Sequence, residues 1–292
     1  MEDHHIKGSI FSILAALSTA LMATFVKFAV GSSVFTLLFF RNIISLFLIL
    51  PLFFRSGLSL KTRKPLLHFF RAIMGFSGIC CYFYSVQHLQ LTQAMLLSNT
   101  LPLYIPFVAY FWLKTPITKT RLLSVFIGFI GVVMLLQPGY GLFKTAAIFV
   151  GLFGAICTAV SFVSVKQLIR TEKAERILFY YFAYSIVFSV FPMLLSASPQ
   201  PSGVTWIYIA FIGIFAVLYQ FLFTQANAVL AATKVAALRY MAVIFGALID
   251  WIVWGHQLYP FEAFGGVLII IGGLLALLDR KIPLRLGKRP PK

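Results

Sequence analysis

Apolar residues in this chain fall in long blocks separated by short polar breaks, not at the spacing of amphipathic helices. A helix crossing a bilayer needs about 20 mostly apolar residues at about 1.5 Å each. Ten blocks qualify: 8–29, 33–54, 68–87, 93–113, 120–137, 146–165, 178–196, 204–224, 233–254 and 261–279. In lipid every backbone polar group must be satisfied within its own segment, so each block is predicted to be a helix. The breaks carry turn chemistry, as in Arg55-Ser56-Gly57, Gln137-Pro138-Gly139 and Ser198-Pro199-Gln200-Pro201. The fold class expected is all-α integral membrane, with ten transmembrane helices, termed spans 1 to 10.

Lysine and arginine fill alternate breaks. Between spans 2 and 3 there are five, Arg55, Lys61, Arg63, Lys64 and Arg71, and between spans 4 and 5 three, Lys114, Lys119 and Arg121. Four lie between spans 6 and 7 (Lys166, Arg170, Lys173, Arg176), Lys234 lies near the 8–9 break, and six follow span 10 (Arg280, Lys281, Arg285, Lys288, Arg289, Lys292). Lys27 and Lys144 stand alone in two of the alternate breaks, and breaks 3–4, 7–8 and 9–10 have none. The positive-inside rule then places both termini in the cytoplasm.

The two halves resemble each other. Ala16, Thr19, Ala20, Val26 and Lys27 align with Ala155, Thr158, Ala159, Val165 and Lys166 at a shift of 139. Pro51, Leu89, Thr92, Leu97 and Gly131 align with Pro192, Leu230, Thr233, Leu238 and Gly272 at a shift of 141. Five spans is an odd number, so the second copy must be inverted in the membrane. The charge bias inverts with it: the 2–3 break has five basic residues and its counterpart 7–8 none. Inverted repeats of this kind build alternating-access transporters. The domains expected are a five-helix repeat over 8–138, its inverted copy over 146–279, and a basic tail over 280–292.

Composition narrows the class further. The chain is 61% hydrophobic and only 11% charged, against about 25% charged in a typical soluble domain. Its net charge of +17 is read as topological signalling and contact with anionic lipid, not as a nucleic-acid surface. Cys80, Cys81 and Cys157 lie inside apolar blocks with no metal-binding spacing, and no metal or cofactor is expected. The N-terminal apolar run is long and reads as a first span, not a removed signal peptide.

In this setting the chain resembles the drug/metabolite transporter superfamily, specifically tandem EamA-type domains. The likeness is carried by Lys27 and Lys166 closing the first span of each repeat, by Arg41 in span 2, and by Pro102 in Thr100-Leu101-Pro102-Leu103. It continues in Ile127-Gly128-Phe129-Ile130-Gly131-Val132 and in Tyr240, Trp251-Ile252-Val253-Trp254-Gly255, Gly265-Gly266 and Gly272-Gly273. The sequence departs from the family at Thr115 and His256, where members often carry Glu, and at Asp250, where Gly is common. The resemblance implies export or import of amino acids, nucleotide-related metabolites or other small solutes, S-adenosylmethionine among them.

An ionisable group inside a span costs about 2.5–3.5 kcal/mol on insertion scales, which makes each one a site candidate. Arg239 and Asp250 in span 9 lead: eleven residues apart, they are about 20° apart around a helix and about 16 Å apart along it. Small residues between them, Ala242, Val243 and Gly246, are expected to leave room for a solute. A cation near one end and an anion nearer the other would meet a zwitterion; pairing of Asp250 with Arg41 is the competing reading. Arg41, Lys27 and Lys166 complete the charged set, and Asn99, Tyr82, Tyr219, Gln220 and Tyr240 the polar lining of a cavity formed by spans 3, 4, 8 and 9.

The function expected is secondary active transport of a small polar or zwitterionic metabolite by alternating access. The alternatives are an intramembrane enzyme and a channel-type protein. No His-Glu-x-x-His, Gly-x-Ser-x-Gly or GxxxxGK[ST] occurs, so an enzyme is not expected. Expected partners are the small-molecule substrate, membrane lipid, a coupling ion or counter-substrate, and a second copy in a homodimer; nucleic acid is not. The location expected is the inner membrane, multi-pass.

Overall fold

The computed structural model of the protein describes residues 2–55, 60–113, 118–135, 146–196, 201–230, 235, 238–256 and 259–278. The helices are α1 (Glu2–Phe28), α2 (Val34–Arg55), α3 (Pro65–His88), α4 (Leu91–Ser98), α5 (Leu101–Leu113), α6 (Lys119–Leu135), α7 (Ala146–Leu168), α8 (Ala174–Leu195), α9 (Thr205–Val229), α10 (Met241–Trp254) and α11 (Pro260–Leu278). Among the described residues seven helical stretches are long and apolar enough to cross a bilayer; one, Leu91–Trp112, joins α4 and α5. Shorter apolar helices at Leu122–Met134, Met241–Trp254 and Ala263–Gly272 supply spans 5, 9 and 10. The chain is an all-α, multi-pass membrane protein, and large exposed side chains such as Phe47, Phe126, Phe191 and Ile252 form its lipid-facing surface.

Local chemistry sets the ends of several helices. Pro65 opens α3, where a missing N–H costs nothing. Gly255 closes α10 in the left-handed region at φ 67°, donating to Trp251 O at 3.0 Å, and Pro260 starts α11. Inside the spans, hydroxyls are satisfied by carbonyls one turn back, as in Ser18 to Leu14 O at 2.7 Å and Thr24 to Ala20 O at 2.9 Å.

Packing follows the repeat. α1 packs on α9 and α7 on α3; α1 packs on α10 and α7 on α5; α2 packs on α9 and α8 on α3. Exchanging each span for the one five places away turns each of these pairs into the other. Pairs that map onto themselves, α2 with α8 and α6 with α11, lie across the pseudo-twofold axis. The last pair approaches through glycine: a Cβ on Gly131 would stand 2.6 Å from Gly265 O, and one on Gly272 2.7 Å from Gly128 N. These glycines permit backbone contact between the two helices.

Spans 4 and 9 are not continuous helices. Pro102 has no N–H to give Ser98 O, so span 4 turns at Asn99 and Thr100 before α5 resumes. Side chains add bonds to carbonyls just before the turn: Asn99 Nδ2 donates to Met95 O at 2.9 Å and Thr100 Oγ1 to Leu97 O at 2.6 Å. Span 9 turns at Arg239 and Tyr240, where Ala242 N donates to Arg239 O at 2.9 Å and Val243 N to Tyr240 O at 3.0 Å. The shift of 141 that aligns Leu97 with Leu238 aligns Asn99 with Tyr240, so the two interruptions are repeat equivalents.

Candidate functional site

The two interruptions meet around one space. It is narrow and is lined by Ser12, Ala15, Ala16 and Thr19 of α1, by Asn99, by Tyr219 and Phe223 of α9, and by Val235, Arg239 and Ala242 of span 9. Irregular backbone inside a bilayer is tolerated where protein or a cavity satisfies it, and half-helix ends there present polar groups to a solute. Arg239 places its guanidinium 5.9 Å from the centre of the Phe223 ring. Among the described residues this guanidinium has no carboxylate or other hydrogen-bond partner. Tyr219 stacks on Phe223 with ring centres 5.6 Å apart, forming an aromatic wall.

Tyr82 of α3 is buried, its ring centre 6.4 Å from that of Phe83. Its hydroxyl has no partner among the described residues. Tyr240 is buried too, its hydroxyl 3.5 Å from Ile269 O. Of the polar residues expected in the site, Arg239, Asn99 and Tyr219 line the space, and Tyr82 and Tyr240 are buried outside its lining.

Asp250 is not in that space. It is 1% exposed and sits three turns further along α10, where Thr92 donates to Oδ2 from its backbone N at 3.0 Å and its Oγ1 at 2.9 Å. Lys27 Nζ lies 3.6 Å from Oδ1 and His256 Nδ1 3.2 Å from it. The carboxylate thus ties the end of α1, the start of α4 and the turn after α10 together; the α4 N-terminus adds its own dipole. Lys27 also donates to Leu89 O at 3.3 Å and stands 4.9 Å over the Trp254 ring. Between Asp250 and the cavity there is no spare room: a Cβ on Gly246 would come within 2.2 Å of Met95 Sδ. The small residues of α10 receive Met95 there, while Ala242 borders the cavity.

Lys166, the repeat counterpart of Lys27, donates to Asn227 O at 3.1 Å and has no carboxylate among the described residues. Arg41 is fully buried, with Nη1 donating to Asn42 Oδ1 at 2.9 Å and the guanidinium 5.8 Å from the Phe83 ring centre. Its partner is Asn42, not Asp250. Gln220 accepts from Arg71 Nη2 at 3.4 Å.

Arg71 is the residue that sequence reading misplaced. It counts as a basic residue of the 2–3 break by position, yet α3 starts at Pro65 and carries it into the bundle, where it is 2% exposed and 3.8 Å from the Tyr181 ring centre. The available signal was its place inside the apolar block 68–87. At the lysine- and arginine-rich end of the molecule, Glu172 accepts from Thr62 Oγ1 at 2.7 Å and pairs with Arg176, joining the α2–α3 and α7–α8 connections. Burial pushes its carboxyl up, but bonds from Arg176 and Thr62 and the positive charge of Arg176 outweigh that and hold it below the usual carboxylate range. Thr115, Lys234 and the tail lie outside the described residues. No group of His, Cys, Asp and Glu suited to a metal occurs among those described.

Known proteins supply the remaining context. A pseudopaline exporter of Pseudomonas aeruginosa is 27% identical over 267 residues, covering 90% of this chain and 93% of that protein. An S-adenosylmethionine uptake transporter of Rickettsia felis is 27% identical over 248 residues, covering 85% and 84%. A riboflavin transporter of Brucella anthropi is 27% identical over 246 residues, covering 82% and 86%. A crystal structure at 18% identity shares the fold, with a TM-score of 0.67 over 94% of this chain and 96% of that one. The EamA-like transporter family matches residues 6–137 and again 145–278. Two matches, one per half, cover nearly all of the chain, and the protein belongs to the EamA-like transporter family as a membrane transporter and not an enzyme.

Proposed function

We propose that the protein is a secondary carrier that moves a small polar metabolite by alternating access, binding it where spans 4 and 9 are interrupted. The observation that carries this reading is the meeting of two repeat-equivalent interruptions at a cavity bordered by Arg239, whose guanidinium has no partner among the described residues. Helix interruptions at matching positions of inverted repeats are where such carriers hold their substrates. Arg239 supplies charge for a carboxylate or phosphate, Asn99 and Tyr219 supply hydrogen bonds, and Phe223 an apolar wall. The two five-helix repeats, 8–138 and 146–279, would rock about this centre, with both termini and the 280–292 tail on the cytoplasmic side of the inner membrane. Amino acids and S-adenosylmethionine-like zwitterions remain the first solutes to test, given the relatives' names.

Uptake into ATP-free proteoliposomes, with a panel of amino acids and adenosyl compounds as competitors, tests this. Saturable uptake without ATP supports the carrier. Strict dependence on ATP, non-saturating flux, or turnover of solute without compartments would overturn it. Arg239→Gln should lower transport about 10- to 100-fold at normal membrane abundance, the value of a lost charge-assisted hydrogen bond. Unchanged kinetics would remove Arg239 from the path. Orientation is tested separately: single cysteines at Gly139 and Ser198, in a background lacking Cys80, Cys81 and Cys157, should label in intact cells, and one at Ser59 should not.

A further inference from the structure

The interior holds more positive charge than it neutralises. Arg41 and Arg71 are 0% and 2% exposed, and Arg71 feels the charge of Arg41. Each guanidinium has five N–H donors, and between them the structure provides one amide oxygen each, from Asn42 and Gln220. Arg41 Nε and Nη2 and Arg71 Nε and Nη1 have no partner among the described residues. The faces of Phe83 and Tyr181 offset part of the cost but accept no hydrogen bond in the guanidinium plane.

The sequence offers no carboxylate to complete the set. Of the seven acidic residues, Glu2 and Asp3 are at the N-terminus, Glu172 and Glu175 in or beside the 6–7 break, and Glu262 and Asp279 at the two ends of span 10. Only Asp250 lies deeper, and Lys27, Thr92 and His256 engage it. Two buried like charges without an anion are expensive in low dielectric. Arg71 bonds to Gln220, the chain neighbour of Tyr219, which borders the cavity with Arg239, and Tyr82, beside the Phe83 ring that faces Arg41, has a hydroxyl with no partner among the described residues. Arg239 therefore lies over Phe223, which stacks on Tyr219, and Arg71 bonds to the adjoining Gln220, while the unmet donors of Arg41 and Arg71 lie in the same buried interior.

We propose that the transported solute is an anion with at least two negatively charged groups, carboxylate or phosphate, one held by Arg239 and another by the Arg41–Arg71 pair. This rests on the carrier reading and narrows its substrate class. A zwitterion would neutralise one arginine site and bring a cation to a region with no free carboxylate. A dianion satisfies both, and its second group reaches the buried pair as the two halves rearrange. Tyr82 and Tyr219 would donate hydrogen bonds to it.

Thermal unfolding of the purified full chain in detergent tests the class directly, at matched ionic strength set with NaCl. The probes are succinate, citrate and inorganic phosphate against S-adenosylmethionine, lysine and spermidine. Succinate or citrate should raise the midpoint in a saturable way, and the zwitterion and cations should not. Arg71→Gln and Arg239→Gln should each weaken the apparent affinity about tenfold or more, Arg71→Lys less, and Arg170→Gln on the exposed surface not at all. Arg71→Lys keeps the test valid where the Gln variant fails to fold. Stabilisation by S-adenosylmethionine or spermidine alone, lost in Arg239→Gln, would overturn the anionic class while leaving the site intact. No response to any carboxylate or phosphate above the NaCl control would also overturn it. Uptake indifferent to Arg239 would instead strike the carrier site itself.

Discussion

Lys27 and Lys166 close equivalent helices of the two repeats, yet their surroundings differ. Both reach across to a backbone carbonyl near the end of a neighbouring span, Leu89 O for Lys27 and Asn227 O for Lys166. Only Lys27 has a carboxylate, because span 9 carries Asp250 where the repeat places Ala109 in span 4. The end around Lys27 is held by an ion pair, two Thr92 bonds, His256 and the Trp254 face. The end around Lys166 relies instead on Glu172, Arg176 and Thr62, outside the spans. Duplication thus supplies two similar scaffolds, and a single substitution per copy gives the two ends unequal locks. In the proposed carrier, which opens each end in turn, unequal locks would bias which way it rests.

Breaking the stronger lock should have the largest effect. Asp250→Asn leaves Lys27 with one carbonyl in a buried setting and should lower unfolding free energy by about 2 kcal/mol, below the full value of a buried pair because Lys27 keeps 13% side-chain exposure. Thermal unfolding reads this, and Lys27→Met in the same chain should recover part of the loss; additive losses would argue against coupling. Lys166→Met should cost less, about 1 kcal/mol, since one hydrogen bond to Asn227 O is removed. Equal losses for the two lysines would erase the comparison. The smallest effect belongs to Glu172→Gln, under about 1 kcal/mol near neutrality. Its lowered folded value means its contribution is present above the ordinary carboxyl value of 4.5 and fades as pH falls through the folded one. The Gln variant should therefore show a flatter acid limb than the parent; an unchanged limb would deny Glu172 that role.

Much of this fold was legible because lipid demands long apolar helices, and their blocks lie openly in the sequence. The inverted relation was legible from lysine and arginine counts. The interruption of span 4 was within reach, since Pro102 cannot continue the ladder from Ser98, but that of span 9 has no proline to announce it. Asp250 was visible as a buried charge, while its partner was not: Lys27 is far away in sequence, and only the packing of α1 on α10 joins them. Arg71 was obscured by the charge cluster next to it. Gly246 looked like open space, and Met95, from another helix, fills it.

The central claim is that the cavity at the paired interruptions is the point reached alternately from the two faces. Ala242 borders it. A single cysteine there, Ala242→Cys in a chain with Cys80, Cys81 and Cys157 replaced, can be probed with a membrane-impermeant thiol reagent in right-side-out and in inside-out vesicles without ATP. Modification from both faces, at unequal rates, is the result expected. Modification from one face only, or from neither, would contradict the account.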